Sequence, residues 1–216
     1  MKVIITGTTG MIGEGILLEC LNDDRISSIL SVSRKPTGKN HPKLKEYIVS
    51  DFLSLKEGDE NLKGYDACFF CAGVSSIGIN AADYERISYE TTLQFARAVE
   101  PNPNMSFIYV SGSGTDSTEK GKLHWARVKG KTENDLMKLP FKQAFGFRIG
   151  IVEIAKGQTQ VLPFYKYISW LIPVLKIISP NILNTMKQVA NAMIVVSSKG
   201  YPKNIIHIKD IHQMSK

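Results

Sequence analysis

Hydrophobic residues follow two spacings, and the two alternate along the chain. Short continuous apolar runs are typical of strands buried on both faces of a sheet. Such runs occupy Val3–Thr6, Ile29–Ser33, Tyr47–Val49, Asp66–Cys71, Phe107–Val110, Ala144–Ile149 and Ile205–Ile208. Apolar residues at helical spacing occupy Met11–Asn22, Ala81–Glu100 and Lys122–Leu139. Strands that alternate with helices predict an α/β fold with a doubly wound parallel sheet and right-handed crossovers.

The alternation breaks in the carboxyl-terminal part of the chain, between residues 156 and 184. A capping-box pattern at Thr185 and Gln188 then predicts a further helix that runs to about Ser198. A chain of 216 residues suits one domain of this class. We therefore predict a single domain over residues 1–216, in which residues 156–200 form a small helical substrate or lid region.

The most apolar stretch, residues 161–180, is interrupted by two prolines and two lysines. Because a membrane-spanning helix needs about 20 mostly apolar residues, we do not expect this stretch to cross a bilayer. Three of its aromatic residues, Tyr165, Tyr167 and Trp170, lie among lysines and leave two interpretations open. One is contact with a membrane surface; the other, which we favour, is the lining of a substrate pocket.

Composition and charge narrow the classes of function. The formal net charge is +7, but the lysines are spread along the chain and are densest only between Lys120 and Lys131. Without an arginine-rich arm or a basic run with interleaved aromatics, we do not expect nucleic-acid binding.

Three cysteines do not make a disulfide framework, and no metal site is predicted. A strand pattern at Met1 with no signal peptide before it predicts a cytoplasmic protein.

The strongest local signal is the stretch from Gly7 to Gly13, which stands between the first strand and the first helix. In this pattern the first glycine allows a tight turn, Gly10 lets a pyrophosphate approach the backbone, and the last glycine lets the helix pack closely. The helix start presents N–H groups and a positive dipole end to the phosphates. The predicted phosphate-binding residues are Gly7, Thr8, Thr9, Gly10, Met11, Ile12 and Gly13.

The ends of the next strands indicate which dinucleotide binds. Ser33, Arg34 and Lys35 follow the second strand, where an NAD site usually carries an acidic residue for the ribose hydroxyl. A guanidinium and an ammonium can hold a 2′-phosphate instead, so we predict NADP, with NAD less favoured. Asp51 either accepts from the adenine amino group or caps a helix. Small residues after the fourth strand, Cys71, Ala72 and Gly73, leave room for the adenosine ribose.

Together these pieces resemble the short-chain dehydrogenase/reductase superfamily, and most of all its atypical and extended members related to NAD-dependent epimerases and dehydratases. The matching stretches, within the first 150 residues, are TGTTGMIG at 6–13, SRK at 33–35, D at 51, FFCAG at 69–73, YVSGSG at 109–114 and VKG at 128–130. The resemblance implies a Rossmann-type NAD(P)-binding fold, possible homodimers through helices 81–100 and 121–139, and oxidoreductase or epimerase-like chemistry on an unknown small substrate.

The resemblance also implies a serine, a tyrosine and a lysine as catalytic residues. Ser111 or Ser113 matches the serine and Lys129 matches the lysine, which also binds the nicotinamide ribose. Trp125 stands in the position of the tyrosine. Because the indole N–H donates a hydrogen bond but does not titrate near neutral pH, the expected proton shuttle is missing.

Two hypotheses follow from the missing tyrosine. In the first, an enzyme uses a relocated acid: His124, Tyr84, Tyr89, or a water held by one of the two serines. We expect His124 to be a partly exposed surface histidine and both tyrosines to pack helices instead. In the second, the chain is a non-catalytic NADP-binding regulatory module, in which Trp125 covers the nicotinamide or fills the substrate pocket.

Overall fold

The computed structural model describes residues 1–161, 165 and 183–215. Their main feature is a sheet of seven parallel strands in the order β3-β2-β1-β4-β5-β6-β9. These strands are β1 (Lys2–Thr6), β2 (Ser28–Ser33), β3 (Leu44–Ile48), β4 (Ala67–Phe70), β5 (Ser106–Val110), β6 (Gln143–Arg148) and β9 (Ile205–His207). The strand order reverses between β1 and β4, which is where ligands bind in such sheets. The predicted doubly wound α/β fold is confirmed.

Helices cover both faces of the sheet. They are α1 (Met11–Leu21), α2 (Ala81–Glu85), α3 (Thr91–Ala98), α4 (His124–Leu136), α5 (Met186–Lys199) and α6 (Ile208–Met214). The capping box predicted at the start of α5 is present, with Thr185 and Gln188 exchanging both side-chain to backbone hydrogen bonds. That helix is therefore confirmed.

Several predicted boundaries are wrong. The helix predicted over Ala81–Glu100 is divided by a π-helical turn at Arg86–Glu90, a local widening that periodicity does not reveal. Cys71 follows β4 instead of ending it. Ile208 begins α6 instead of ending the last strand, because Asp210 accepts from the backbone N–H of His207 and caps a helix there.

The region predicted as helical, residues 156–200, also contains a strand. Leu183–Thr185 (β8) pairs in parallel with Ile151–Glu153 (β7) in a small second sheet. Each strand has only three residues, and the partners are about thirty positions apart in the chain, so no local pattern marks them. Residues 156–161 form no helix. Residues 162–164 and 166–182, which include most of the 161–180 stretch and part of the predicted lid, lie outside the described residues. In the part that is described, no helix is both long and apolar enough to cross a membrane.

The core consists of one apolar layer on each face of the sheet. Residues of β1 alternate between them: Val3 and Ile5 pack towards α1 and α5, while Ile4 packs towards α3. The second layer is rich in aromatic rings, with Phe70 in contact with the rings of Phe95 and Phe107. Burying one such large apolar side chain stabilises the fold by about 1.5–3 kcal/mol. These layers hold the carboxyl ends of β1, β2, β4 and β5 along one edge, where the site lies.

Candidate functional site

The glycine loop joins β1 to α1 and lies against the end of β4. Gly7 has φ +67°, and a Cβ there would come within 2.7 Å of the Cys71 carbonyl oxygen. A Cβ on Gly13 would lie 2.1 Å from the Gly7 carbonyl oxygen. Both positions therefore require glycine for close backbone contact. Thr6 completes this junction, because its hydroxyl accepts from the backbone N–H groups of Cys71 and Ala72, both at 3.1 Å.

The start of α1 is open to a ligand. Gly10 is its N-cap, and no side chain caps the helix there. The first N–H groups of any helix lack partners within the helix, so they remain for an anion. A Cβ on Gly10 would have one neighbour, the Gly7 carbonyl oxygen at 3.4 Å, and space beyond it. This cradle fits a pyrophosphate of a dinucleotide.

The remaining predicted loop residues differ in their roles. The Thr8 hydroxyl is buried and shares a 2.7 Å hydrogen bond with the Ser31 hydroxyl, so it joins the loop to β2. Thr9 is exposed, and Met11 and Ile12 are half-buried at the first turn of α1. The structure thus brings the whole predicted loop together, with Thr9 beside the open helix start.

Two exposed cations follow β2. Arg34 and Lys35 are both exposed, whereas Ser33 is buried and its hydroxyl donates to the Lys35 carbonyl oxygen at 2.7 Å. The Ser33 side chain therefore shapes the turn. Arg34 and Lys35 lie beyond it, with their side chains exposed to solvent.

The groups predicted to meet the adenosine end lie after β3 and β4. The Asp51 carboxylate accepts from the Leu53 backbone N–H at 3.0 Å and caps a short 3-10 turn. The structure therefore shows the capping role, which is one of the two roles predicted for Asp51. Cys71 and Ala72 are half-buried. Gly73 is exposed, and a Cβ there would have no atom within 4 Å, which leaves space for a ribose.

A buried carboxylate beside the glycine loop was not predicted from the sequence. Glu14, in α1, is only 2% exposed. It pairs with Lys39 at 2.9 Å and accepts from the Thr159 and Gln160 backbone N–H groups. Burial opposes its ionisation, but these hydrogen bonds outweigh burial and hold the pKa of Glu14 below its ordinary value. Glu14 therefore ties the loop after β2 and the segment after β7 to the phosphate-binding helix.

Lys129 lies on α4 one turn after Trp125, on the same face. Its ammonium donates to the Ser111 carbonyl oxygen at 3.3 Å and lies over the Tyr109 ring, 5.3 Å from the centroid. Burial lowers the pKa of Lys129 to about 8, although the charge of Glu133 opposes this shift. The amine is therefore able to exchange a proton near neutral pH.

Glu133 forms a second buried network, one turn further along α4. It is 1% exposed and pairs with Arg148 of β6 at 2.6 Å. The Ser111 hydroxyl donates to the same carboxylate at 2.6 Å. Gly146 makes room for it, since a Cβ there would lie 2.5 Å from Glu133 Oε1. The sequence contains one indication of this network, because Glu133 lies on the inward side of a predicted helix. Glu133 was nevertheless not among the predicted site residues.

A cavity of about 400 Å³ lies beside Trp125. The residues that line it come from the ends of β5 and β6, from α4, from β7 and from position 165. They are Gly112, Ser113, Trp125, Ile149, Gly150, Ile151 and Tyr165. Ser113 and Trp125 thus share one space, whereas Ser111 is not among the lining residues and its hydroxyl is bound to Glu133. The structure separates the two serine candidates that the sequence left open.

The other candidate acids take part in packing. The His124 ring contacts the buried Tyr84 ring edge-on, with centroids 6.2 Å apart. The Tyr89 hydroxyl donates to Asp135 at 2.8 Å, and burial and this carboxylate raise the pKa of Tyr89 to about 12. Both tyrosines pack helices, as expected. His124 is half-buried at the start of α4, which agrees with the partly exposed histidine that we predicted.

Comparison with known proteins supports the fold and the family. A family model described as the NAD dependent epimerase/dehydratase family matches residues 3–122, more than half of the chain. One curated relative is the protein FMP52, mitochondrial, of Debaryomyces hansenii, which is 26% identical over 69% of this chain and 66% of its own length. Another is the leucinostatins biosynthesis cluster protein T of Purpureocillium lilacinum, 29% identical over 64% of this chain and 52% of its own length. The chain thus matches about half to two thirds of these relatives.

These relatives contradict the predicted location. Several bear names that place them in mitochondria, so the prediction of a cytoplasmic protein is wrong.

Solved structures share the fold. The protein described as MoeE5 in complex with UDP-glucuronic acid and NAD superposes with a TM-score of 0.67 at 17% identity, over 95% of this chain and 75% of that one. The reductase domain of PhqB from Penicillium fellutanum superposes with a TM-score of 0.64 at 16% identity, over 97% of this chain and 67% of that one. At these identities the likeness extends to the fold alone.

Proposed function

The chain belongs to the NAD dependent epimerase/dehydratase family, an NAD(P)-binding family, and from this premise we propose that it is an NADP-dependent oxidoreductase of a small carbonyl or hydroxyl compound. One observation carries the proposal: a cavity of about 400 Å³ opens beside Trp125, one helical turn from an amine whose pKa is about 8. A site that only held the dinucleotide could use Lys129 for the ribose, but it would not need the adjoining space.

The cofactor would be held at three places on the edge of the sheet. The uncapped start of α1, at Gly10, would take the pyrophosphate. Arg34 and Lys35 would take the 2′-phosphate, and Lys129 would donate to the nicotinamide ribose. When bound there, the nicotinamide supplies or accepts a hydride.

The proton of the reaction is assigned to Lys129. Tryptophan at position 125 cannot transfer one, and His124, Tyr84 and Tyr89 pack helices. The Lys129 ammonium holds a proton below pH of about 8 and releases it to the developing alkoxide of a reduced carbonyl. Ser113, on the cavity wall, orients the substrate oxygen.

We expect the double variant Arg34→Ala, Lys35→Ala to weaken NADP binding by about tenfold or more and to leave NAD binding unchanged. The reason is that a hydrogen bond to a charged group contributes about 1.5–3 kcal/mol, and only NADP carries the 2′-phosphate. Titration calorimetry with both dinucleotides measures this. Lys45→Ala, an exposed lysine on β3, is the matched control for loss of a surface cation. An equal loss of affinity for both dinucleotides would contradict the assignment of these two residues.

Turnover is tested with Lys129 and Trp125 variants. NADPH oxidation is measured against a panel of aldehydes and ketones. We expect Lys129→Met to reduce kcat by about 100-fold and Trp125→Tyr to raise it about tenfold, since a positioned general acid contributes about 10²–10⁴ in rate. Carbonyl reduction by the wild type should slow as the pH rises through about 8, because the ammonium form of Lys129 is lost. Unchanged turnover in Lys129→Met would overturn the role of this amine.

A second function, a non-catalytic NADP-binding module, is favoured by one observation, the indole in place of the phenol at position 125. This alternative predicts that the wild type binds NADP and oxidises no NADPH with any carbonyl of the panel. Turnover by the wild type that is lost in Lys129→Met would exclude it.

A further inference from the structure

We propose that the cavity beside Trp125 accepts a small, uncharged and largely apolar molecule with one carbonyl or hydroxyl oxygen, and that it does not accept a nucleotide sugar. This inference rests on the proposed function, because it names the substrate class of the same site. Three features of the described part of the cavity wall support it: it carries no charged residue, it carries two hydroxyl groups, and the rest of it is apolar.

The first feature is charge. A nucleotide sugar carries a diphosphate, which proteins hold with arginine, lysine or clusters of backbone N–H groups. Of the described residues that line the cavity, none is charged. Arg148 and Lys129 are not among these lining residues: Arg148 is bound to Glu133, and Lys129 is assigned above to the nicotinamide ribose and to the proton of the reaction. A diphosphate would therefore lose its hydration against this wall without gaining an arginine or lysine of the described lining.

The second feature is the pair of hydroxyl groups on an otherwise apolar wall. Ser113 is held in place by its backbone, whose N–H donates to the Ile149 carbonyl oxygen at 2.8 Å. The Tyr165 hydroxyl accepts from the Val152 backbone N–H at 3.2 Å, and the residue is only 8% exposed. A few placed polar groups in an apolar pocket fix the orientation of a ligand. Here they suit a single oxygen.

The third feature is the shape and size of the cavity. Trp125 provides a broad flat side, and aromatic side chains prefer to stack on or meet edge-on another ring. Ile149 and Ile151 supply aliphatic surface on the wall. The volume of about 400 Å³ is near the lower end of the roughly 300–1,000 Å³ found for ligand pockets. A compact ring compound such as benzaldehyde or benzyl alcohol matches this wall.

The test measures binding without turnover. Saturation-transfer NMR and titration on the full chain, with and without saturating NADP, use benzyl alcohol and UDP-glucose as the two probes. We expect benzyl alcohol to bind with a Kd in the millimolar range and UDP-glucose neither to bind nor to displace it. Ser113→Ala should weaken benzyl alcohol binding by about 2–10-fold, the loss of one hydrogen bond.

A pair of variants separates the cavity from the nearby surface. Ile151→Asn places an amide on the cavity wall and should abolish benzyl alcohol binding. Ile154→Asn makes the same change at an exposed isoleucine three residues later and should have no effect. Equal effects of the two variants, failure of benzyl alcohol to bind, or displacement of it by UDP-glucose would each overturn the inference.

These outcomes are distinct from failure of the proposed function. If NADP binds and NADPH is oxidised with carbonyls while benzyl alcohol does not bind, the substrate class is wrong and the oxidoreductase proposal stands. If benzyl alcohol binds as expected and no carbonyl of the panel is reduced, the cavity assignment stands and the oxidoreductase proposal fails.

Discussion

Alanine at position 10 is expected to weaken NADP binding by about 10–100-fold while the protein remains folded. The added methyl group has ordinary room, with the Gly7 carbonyl oxygen at 3.4 Å, and the backbone of Gly10, at φ −113° and ψ 169°, is accessible to alanine. The cost at an N-cap is about 1 kcal/mol or less. The methyl group would nevertheless stand where a pyrophosphate approaches the helix start, and each hydrogen bond to a charged group lost there costs about 1.5–3 kcal/mol.

Gly13→Ala serves as the matched comparison, because the same methyl group is placed one turn further along the helix. There it would lie 2.1 Å from a backbone oxygen, so α1 must move away from the loop. We expect the free energy of unfolding to fall by about 3 kcal/mol or more, the upper range for overpacking. Urea denaturation measures stability, and titration calorimetry measures NADP binding. If Gly10→Ala binds NADP as the wild type does, the cradle is not the phosphate site.

The second large effect is expected at the buried ion pair. Arg148→Met should lower the free energy of unfolding by about 3–5 kcal/mol, the usual cost of leaving a buried charge unpaired. Glu133 is almost fully buried, and after the substitution the Ser111 hydroxyl would be the one hydrogen-bond partner left to it among the described residues. Urea denaturation is again the measurement.

A surface pair and a double variant control this prediction. Lys138→Met removes the partner of Asp135 in an exposed pair, and such pairs contribute about 1 kcal/mol at most. Adding Glu133→Gln to Arg148→Met removes the stranded charge and should recover part of the lost stability. If Arg148→Met and Lys138→Met lower the free energy of unfolding equally, the buried pair contributes no more to stability than the exposed one.

Much of the fold could be predicted because its signals are local. The strand ending at Thr6, the glycine loop and the helix after it depend on residues within a few positions of one another. The capping box at Thr185 is equally local, and the structure contains it as predicted. Arg34 and Lys35 could also be placed from the sequence, because residues that directly follow a strand of a parallel sheet lie at the carboxyl-terminal edge of that sheet.

The errors also have a physical origin. The small sheet of β7 and β8 joins segments far apart in the chain, and its strands are too short to show a period of two. The π-helical turn at Arg86–Glu90 differs from an α-helix by one extra residue in a turn, which hydrophobic spacing does not resolve. Neither element can be predicted from the types of residue that it contains.

The sequence by itself determined the sheet, the phosphate-binding loop and the absence of a tyrosine at position 125, because each depends on residue type and near-neighbour spacing. Only the tertiary structure decided that Ser113, and not Ser111, shares the cavity with Trp125. It also decided the partners of two buried carboxylates, Glu14 with Lys39 and Glu133 with Arg148. Such partners come from different strands and loops, and a side chain's partner is set by which segments the sheet brings together.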